Sequence, residues 1–242
     1  MEQFARILRY RRFMSTTLVK RDTAESILRQ NGWLSNQPQD FQNEVLRRSI
    51  LLHFSPGEVI YRFGDDLGGI HGLVGGIVTI NLAPPDSAPR LIHMGKPGGW
   101  TGENCFLTRQ PRRVELRTLS EACVMHLPLD QMDQMAGADP TVIRNFSHIL
   151  MNAVEVLIRV IHDLQKPDPD RRIASVLQRM TWIGERPIPL TQTEIGTMAC
   201  VSRRQVNAAL KRFVENGWVK TSYRSIIILN AEELRRFAAE DD

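Results

Sequence analysis

At 242 residues, with 42% of them apolar, the chain is expected to form two small domains with real cores. Cys105, Cys123 and Cys200 lie far apart with no C-x-x-C pair, which argues against a zinc site or a disulfide framework and suits a reducing cytosol. No apolar run approaches the roughly 20 residues that cross a bilayer and the N-terminus lacks an apolar signal core, so a cytoplasmic protein is expected, its net charge of +4 unevenly placed.

Residues 1–30 read as a basic, helix-prone leader: Arg6, Arg9, Arg11, Arg12, Lys20, Arg21 and Arg29 outnumber Glu2, Asp22 and Glu25. Two readings stay open, a loosely packed segment and a basic arm that touches a polyanion. Met14, followed by the polar Ser15–Thr16–Thr17, is a second candidate start. Residues 41–54, FQNEVLRRSILLHF, read as a short helix running into a strand. Between Ser55 and His126, short runs rich in Val, Ile and Leu alternate with Gly and Pro, as in GEVIYRFG, GIHGLVGGIVTINL and ACVMHL. That texture predicts short antiparallel strands closed into a barrel or jelly roll. A short helix over Leu129–Ala136 follows.

From Pro140 to Gln165 the period changes. Ile143, Phe146, Leu150, Ala153, Leu157, Val160 and Leu164 form a heptad seam sustained over about three repeats. Val142, Ile149, Val154, Ile158 and Ile161 widen the apolar surface. Such a helix needs cover, either from its own barrel or, as its length and regularity favour, from a second copy of the chain. Lys166–Pro167–Asp168–Pro169 then breaks it. Asp168 is a natural N-cap and Pro169 a natural first residue for the next helix, over Asp170–Met180. This is the expected domain boundary and a candidate hinge.

Leu190–Leu210, LTQTEIGTMACVSRRQVNAAL, is the most specific segment. Thr191 or Thr193 caps a helix whose body carries Ile195, Gly196, Met198 and Ala199, and Gly196 allows a close helix crossing. Cys200 stands in the turn, where Gly is frequent, so a strained turn is expected. Ser202 caps a second helix with a buried stripe of Val206, Ala209, Leu210 and Phe213. Its opposite face presents Arg203, Arg204, Asn207 and Lys211, groups that fit base edges and phosphates in a major groove. Gly217 ends the helix, and Trp218–Thr221 and Ser225–Leu229 read as strands around a polar turn at Ser222–Arg224. Helix-turn-helix plus hairpin is a winged helix. Residues 190–230 are locally basic, which suits a polyanion. The candidate DNA contacts are Thr191, Thr193, Ser202, Arg203, Arg204, Asn207, Lys211 and Arg224. The fold class is α+β: leader 1–30, β-jelly-roll domain 31–138, dimerisation helix 139–166 and winged helix 167–242.

With GGWTGENCFLTRQPRRVEL and TEIGTMACVSRRQVNAALKRF in this order, the chain resembles the Crp/Fnr family of bacterial transcription regulators over about residues 30–230. The resemblance implies a homodimer. Each subunit would carry a cyclic-nucleotide-type effector domain and a winged helix that binds a near-palindromic promoter site and engages RNA polymerase. It also implies a phosphate cassette. Gly102–Glu103 matches the pair whose carboxylate holds a ribose hydroxyl, and Arg113 matches the guanidinium that takes the cyclic phosphate. Val114 stands where the family has Ser. Leu157 and Ile158 stand where paired hydroxyls meet adenine, so the implied pocket has an apolar wall. A cyclic nucleotide is one candidate effector, and a nucleotide-independent regulator is the other reading.

The cysteine cluster of the iron–sulfur members has no counterpart near the N-terminus, so no such cluster and no metal is expected. Haem-binding members use His or Cys near the barrel and long helix; His71, His93, His126, His148 and His162 each read as a structural group ahead of a ligand. Cys105 reads as a thiol sensor or a small buried hydrophobe. In the recognition helix, Arg204 replaces the family's Glu and Ala208 its second Arg, so an operator unlike the TGTGA-type half-site is expected. No nucleophile–base pair, metal-spaced cluster or phosphate loop supports an enzyme. A protein-only adaptor is the remaining alternative.

Overall fold

In helix α1 (Arg21–Gln30) the apolar Ala24, Ile27 and Leu28 recur at helical spacing and all three are buried. Arg21 reaches the C-terminal end of α3 (Gln39–Arg48), donating to Ser49 O at 3.0 Å and to Leu46 O. The leader expected over 1–30 is therefore corrected at its far end: from Arg21 the chain is core, because one face of a charged stretch is apolar. The computed structural model describes residues 19–82 and 89–239. Arg6, Arg9, Arg11, Arg12 and the alternative start at Met14 lie outside them.

Between these helices, α2 (Gly32–Ser35) inserts Trp33 and Leu34 into the core. The strands are β1 (Ile50–Phe54), β2 (Val59–Tyr61), β3 (Ile70–Gly75), β4 (Val78–Leu82), β5 (Arg90–Gly95), β6 (Trp100–Thr101), β7 (Glu115–Thr118) and β8 (Ala122–Leu127). They pair antiparallel in two four-stranded sheets, β1-β8-β3-β6 and β2-β7-β4-β5, the expected jelly roll. The central strands β3 and β8 are buried on both faces, which is why they read as near-continuous apolar runs. Ile70, Val74, Cys123, Met125 and Leu127 join one cluster with α1–α3. Leu73, Ala122 and Val124 face Tyr61, Val78 and Leu116 of the other sheet.

After α4 (Asn104–Thr108) and α5 (Leu129–Ala138), the long helix α6 covers Val142–Gln165. Its seam differs from expectation in one row. Phe146 is fully buried, with Phe106 at 5.1 Å, Phe41 at 5.2 Å and Trp33 at 6.0 Å between ring centroids, and Val142 and Ile149 are buried beside it. It belongs to the jelly-roll core, whereas Ala153, one heptad on, is exposed and Val160, two heptads on, is half-buried. The uncovered stripe is Ile143, Leu150 and Leu157, with half-buried Val154 and exposed Ile161 as the second row and Met151 and Ile158 at its edges. The period is as read; the uncovered stripe is rotated by one residue because the jelly-roll core takes the Phe146 row.

The chain divides into two compact units, the first ending at Glu155 and the second beginning at Val156, inside α6 rather than at Lys166–Pro169. In the second unit Asp168 caps α7 (Pro169–Gln178), accepting from Asp170 N at 2.8 Å. The expected hinge is pinned. Lys166 Nζ donates to Asp163 Oδ1 (3.1 Å), Ser175 Oγ (2.8 Å) and Ala238 O (2.6 Å), and Arg179 also pairs with Asp163. All three ammonium donors are satisfied, and Ala238 lies at the C-terminal end of α10 (Ala231–Ala239), where a cation is favoured. Helices α8 (Gln192–Ala199) and α9 (Arg203–Glu215) and the hairpin β9 (Val219–Ser222) and β10 (Ser225–Ile228) complete the winged helix. Ile188 bridges Ile226 as a third short strand.

Candidate nucleic-acid interface and effector position

Both helices of the helix-turn-helix start on reciprocal caps. Thr191 Oγ1 accepts from Glu194 N (3.2 Å) while Glu194 accepts from Thr191 N (2.7 Å). Ser202 and Gln205 repeat the arrangement at α9. Thr191 is thus the cap, and Thr193 is exposed in the first turn. Cys200 sits in the turn at φ 51°, ψ 48°, the left-handed conformation that its place in the sequence foreshadows. A Cβ on Gly196 would lie 2.8 Å from Val201 O, so alanine there forces the turn apart at a cost of about 1–3 kcal/mol.

Val206, Ala209, Leu210 and Phe213 are buried, whereas Arg203, Arg204, Asn207, Ala208 and Lys211 are exposed. Arg203 and Arg204 have no partner among the described residues. Lys211 makes only a 4.0 Å pair with exposed Glu215, and Asn207 a 3.4 Å contact with Gln192. Arg224, at φ 54°, sits on the wing. A groove of about 520 Å³ runs between Thr191–Thr193 and Arg203 on one wall and Thr221–Ser225 on the other.

In the jelly roll, the guanidinium that the structure buries is Arg112, one residue before the Arg113 that the resemblance marks for a phosphate. Arg113 is exposed and Val114 half-buried. Arg112 is the buried one, donating from Nη2 to Gly69 O (2.8 Å) and from Nη1 to Gly102 O (3.1 Å), with its guanidinium 4.3 Å from the Tyr61 ring centroid. A count of ten residues from Glu103 assumes a loop length. In fact α4 ends on left-handed Arg109, and the Gly64 and Asp65 main chain clamps Arg112 from both sides. Gly102 is required here: at φ 105° its Cβ would fall 2.5 Å from Arg112 Nη1. Glu103 is buried, which pushes its carboxyl up, against the main-chain N–H groups and the Arg112 charge that hold it down. Burial also pushes Tyr61 up to about 12. Leu157 and Ile158 are exposed on the second unit's part of α6. Cys105 is fully buried, as a small hydrophobe would be.

His71 and His126 stack at 4.3 Å between ring centroids on the inter-sheet side, close to Tyr61 and Arg112. Burial holds His71 well below its ordinary value of 6.5 and lowers His126, whose contact with Ile70 O works the other way. The unfolded chain therefore takes up protons that the folded chain refuses. Their contribution to stability is complete above pH 6.5 and lost as pH falls below it. Thermal melts on either side of pH 6.5 are expected to show this loss, and a smaller one in His71→Gln. Glu103 pulls the other way in both proteins and cancels in the comparison. Equal losses would contradict the assignment to His71.

No helix of the described residues is long and apolar enough to cross a membrane, and no group of three or more His, Cys, Asp or Glu among them is placed to hold a metal ion. Residues 51–139 match the cyclic nucleotide-binding domain and residues 171–237 the Crp-like helix-turn-helix domain. The CRP-like cAMP-activated global transcriptional regulator of Mycobacterium tuberculosis (strain ATCC 25618 / H37Rv) is 24% identical over 193 residues, covering 76% of this chain and 86% of that protein. Transcriptional activator protein anr of Pseudomonas aeruginosa is 20% identical over 209 residues, covering 83% and 84%. Among solved structures, FixK2 from Bradyrhizobium japonicum superposes with TM-score 0.66 at 17% identity, covering 80% of this chain and 99% of that one. TTHA1359 from Thermus thermophilus, a CRP/FNR family regulator, gives 0.65 at 17%, covering 80% and 100%. A cyclic-nucleotide-binding-type jelly roll joined to a Crp-like helix-turn-helix defines a class of DNA-binding transcription regulators. The chain belongs to the Crp/Fnr family.

Proposed function

We propose that the protein is a cytoplasmic homodimer that binds an inverted-repeat promoter site, with α9 of each copy in the major groove and RNA polymerase as its partner there. The observation that carries this reading is the free face of α9, where four donor-bearing side chains stand exposed opposite a buried apolar stripe. Arg203 donates to a base edge or its adjacent phosphate, and Arg204 to a base, guanine by preference. Asn207 adds an amide suited to adenine, and Lys211 neutralises phosphate. The hydroxyls of Thr191 and Ser202 are used in their caps, so these positions act through the N-terminal amides of α8 and α9. The uncovered stripe of α6 is the surface that a second copy buries.

Control by a small anion in the jelly roll belongs to the same proposal, with Arg112 in place of Arg113 as the positive end and Glu103 near it. Both terminal nitrogens of Arg112 already serve main-chain carbonyls, and Leu157 and Ile158 offer no hydrogen bond to a base. Cyclic AMP is therefore expected to act weakly or not at all. The test is fluorescence anisotropy on a promoter duplex, with and without cyclic AMP. Two chains per duplex, an affinity that falls steeply with salt and no change with nucleotide are expected. One chain per duplex, or no salt dependence, would overturn the dimeric reading of DNA. A tightening by cyclic AMP that Arg112→Ala removes would make the nucleotide the effector.

A further inference from the structure

The most exposed large hydrophobic among the described residues is Tyr223, at 91%. It is an aromatic ring on a rigid mount. Ser222 pairs with Ser225, so Tyr223 and Arg224 alone form the hairpin loop. The two flanking serine hydroxyls are 2.6 Å apart and clamp its base. Below them Val219, Ile226 and Ile228 are buried, and Ile226 exchanges two main-chain hydrogen bonds with Ile188, at 2.7 and 3.1 Å. Arg224 holds φ 54° without being glycine, a conformation that persists only where the surroundings impose it. Glycine, asparagine and aspartate are the residues that turn chemistry favours at such a tip, so the aromatic ring at Tyr223 is not there for the turn.

The groove between α9 and the wing says where this ring goes. One wall carries Arg203, the first residue of the recognition helix, and the other carries Thr221–Ser225. Leu190, Leu210 and Ile226 complete its lining, and on the proposed placement of α9 it spans one strand of a duplex. Any backbone strand has the major groove on one side and the minor groove on the other. With α9 on the major-groove side, the wing tip stands on the minor-groove side of the same strand.

We propose that Tyr223 enters the minor groove flanking each half-site, packs its ring on the sugar walls and makes the protein selective for that groove's width and floor. The proposal rests on α9 lying in the major groove. The minor groove cannot distinguish A·T from T·A, but the N2 amino group of guanine marks G·C and obstructs a flat ring pressed to its floor. A·T tracts also narrow the groove, so that the ring meets both sugar walls there, while Arg224 at its mouth neutralises backbone phosphate whatever the flank. Tyr223 therefore supplies sequence preference at base pairs that α9 never touches.

The experiment uses the full chain on duplexes that share one half-site pair and differ only in the flanks: A·T, G·C, or inosine·C, which presents G·C in the major groove but lacks the N2 amino group. Wild type is expected to bind the A·T and inosine·C flanks about tenfold more tightly than the G·C flank. Tyr223→Ala should bind all three alike, with an unchanged melting temperature because the side chain packs on nothing. Tyr223→Phe should keep the preference. Arg224→Ala should weaken all three and reduce the salt slope by about 1. A flank preference that survives Tyr223→Ala, or a wild type indifferent to the flanks, would overturn the proposal. Failure of wild type to bind any of the duplexes would instead strike the placement of α9.

Discussion

Replacing Arg203 and Arg204 together by alanine is expected to abolish discrimination between a specific site and random DNA while leaving the fold intact. Neither guanidinium has a partner among the described residues, so no internal interaction is lost. Alanine is the better helix former, and the cap from Ser202 and Gln205 is untouched. A bidentate base contact by Arg204 contributes about 1–3 kcal/mol of discrimination, and Arg203 adds up to about as much again where it meets a base edge, enough together to erase much of the gap between specific and non-specific binding. Lys211→Ala, in contrast, should weaken all sequences alike and flatten the salt slope by about 1. Competition binding with specific and random duplexes checks both. Full specificity in the double variant would remove α9 from the role of recognition helix.

The second large effect is expected at Leu157. In one copy it is 49% exposed in the middle of the uncovered stripe, so Leu157→Glu in an isolated chain should change stability by no more than about 0.5 kcal/mol. In a two-fold pairing the same change buries two like charges against each other, which costs several kcal/mol. Sedimentation should find the variant monomeric, with a thermal melt that no longer depends on concentration. Binding to a single half-site should survive, whereas the gain from a second half-site should disappear. An unchanged dimer would move the interface elsewhere.

The parts of this molecule that local chemistry dictates are legible in the residues. The caps at Thr191, Ser202 and Asp168 need only neighbours two or three positions away, and each is in place. Cys200 in a left-handed turn and the close approach at Gly196 follow from the same short-range geometry. What is not legible depends on distant partners. Helix α1 reads as a leader because its charges dominate the composition, although Ala24, Ile27 and Leu28 carry a buried face. Phe146 falls in the expected seam by period alone, because a heptad cannot say which of two apolar faces the jelly roll covers. Spacing singles out Arg113, while the structure buries Arg112, because distance along a chain does not fix which of two neighbouring side chains turns inward. Lys166 reads as part of a hinge because nothing local reveals that Asp163, Ser175 and Ala238 converge on it. Tyr223 carries a signal, an aromatic in a polar turn, that only its exposure turns into a candidate contact.

On the proposed function, two copies of α9 read DNA together. Selection of binding sites from random duplexes by the full-length protein tests it most directly. Enrichment of an inverted repeat is expected, its half-sites centred about 10 base pairs, or a multiple of that, apart, with a guanine facing Arg204. An enriched lone half-site without symmetry, or no enrichment at all, would contradict it.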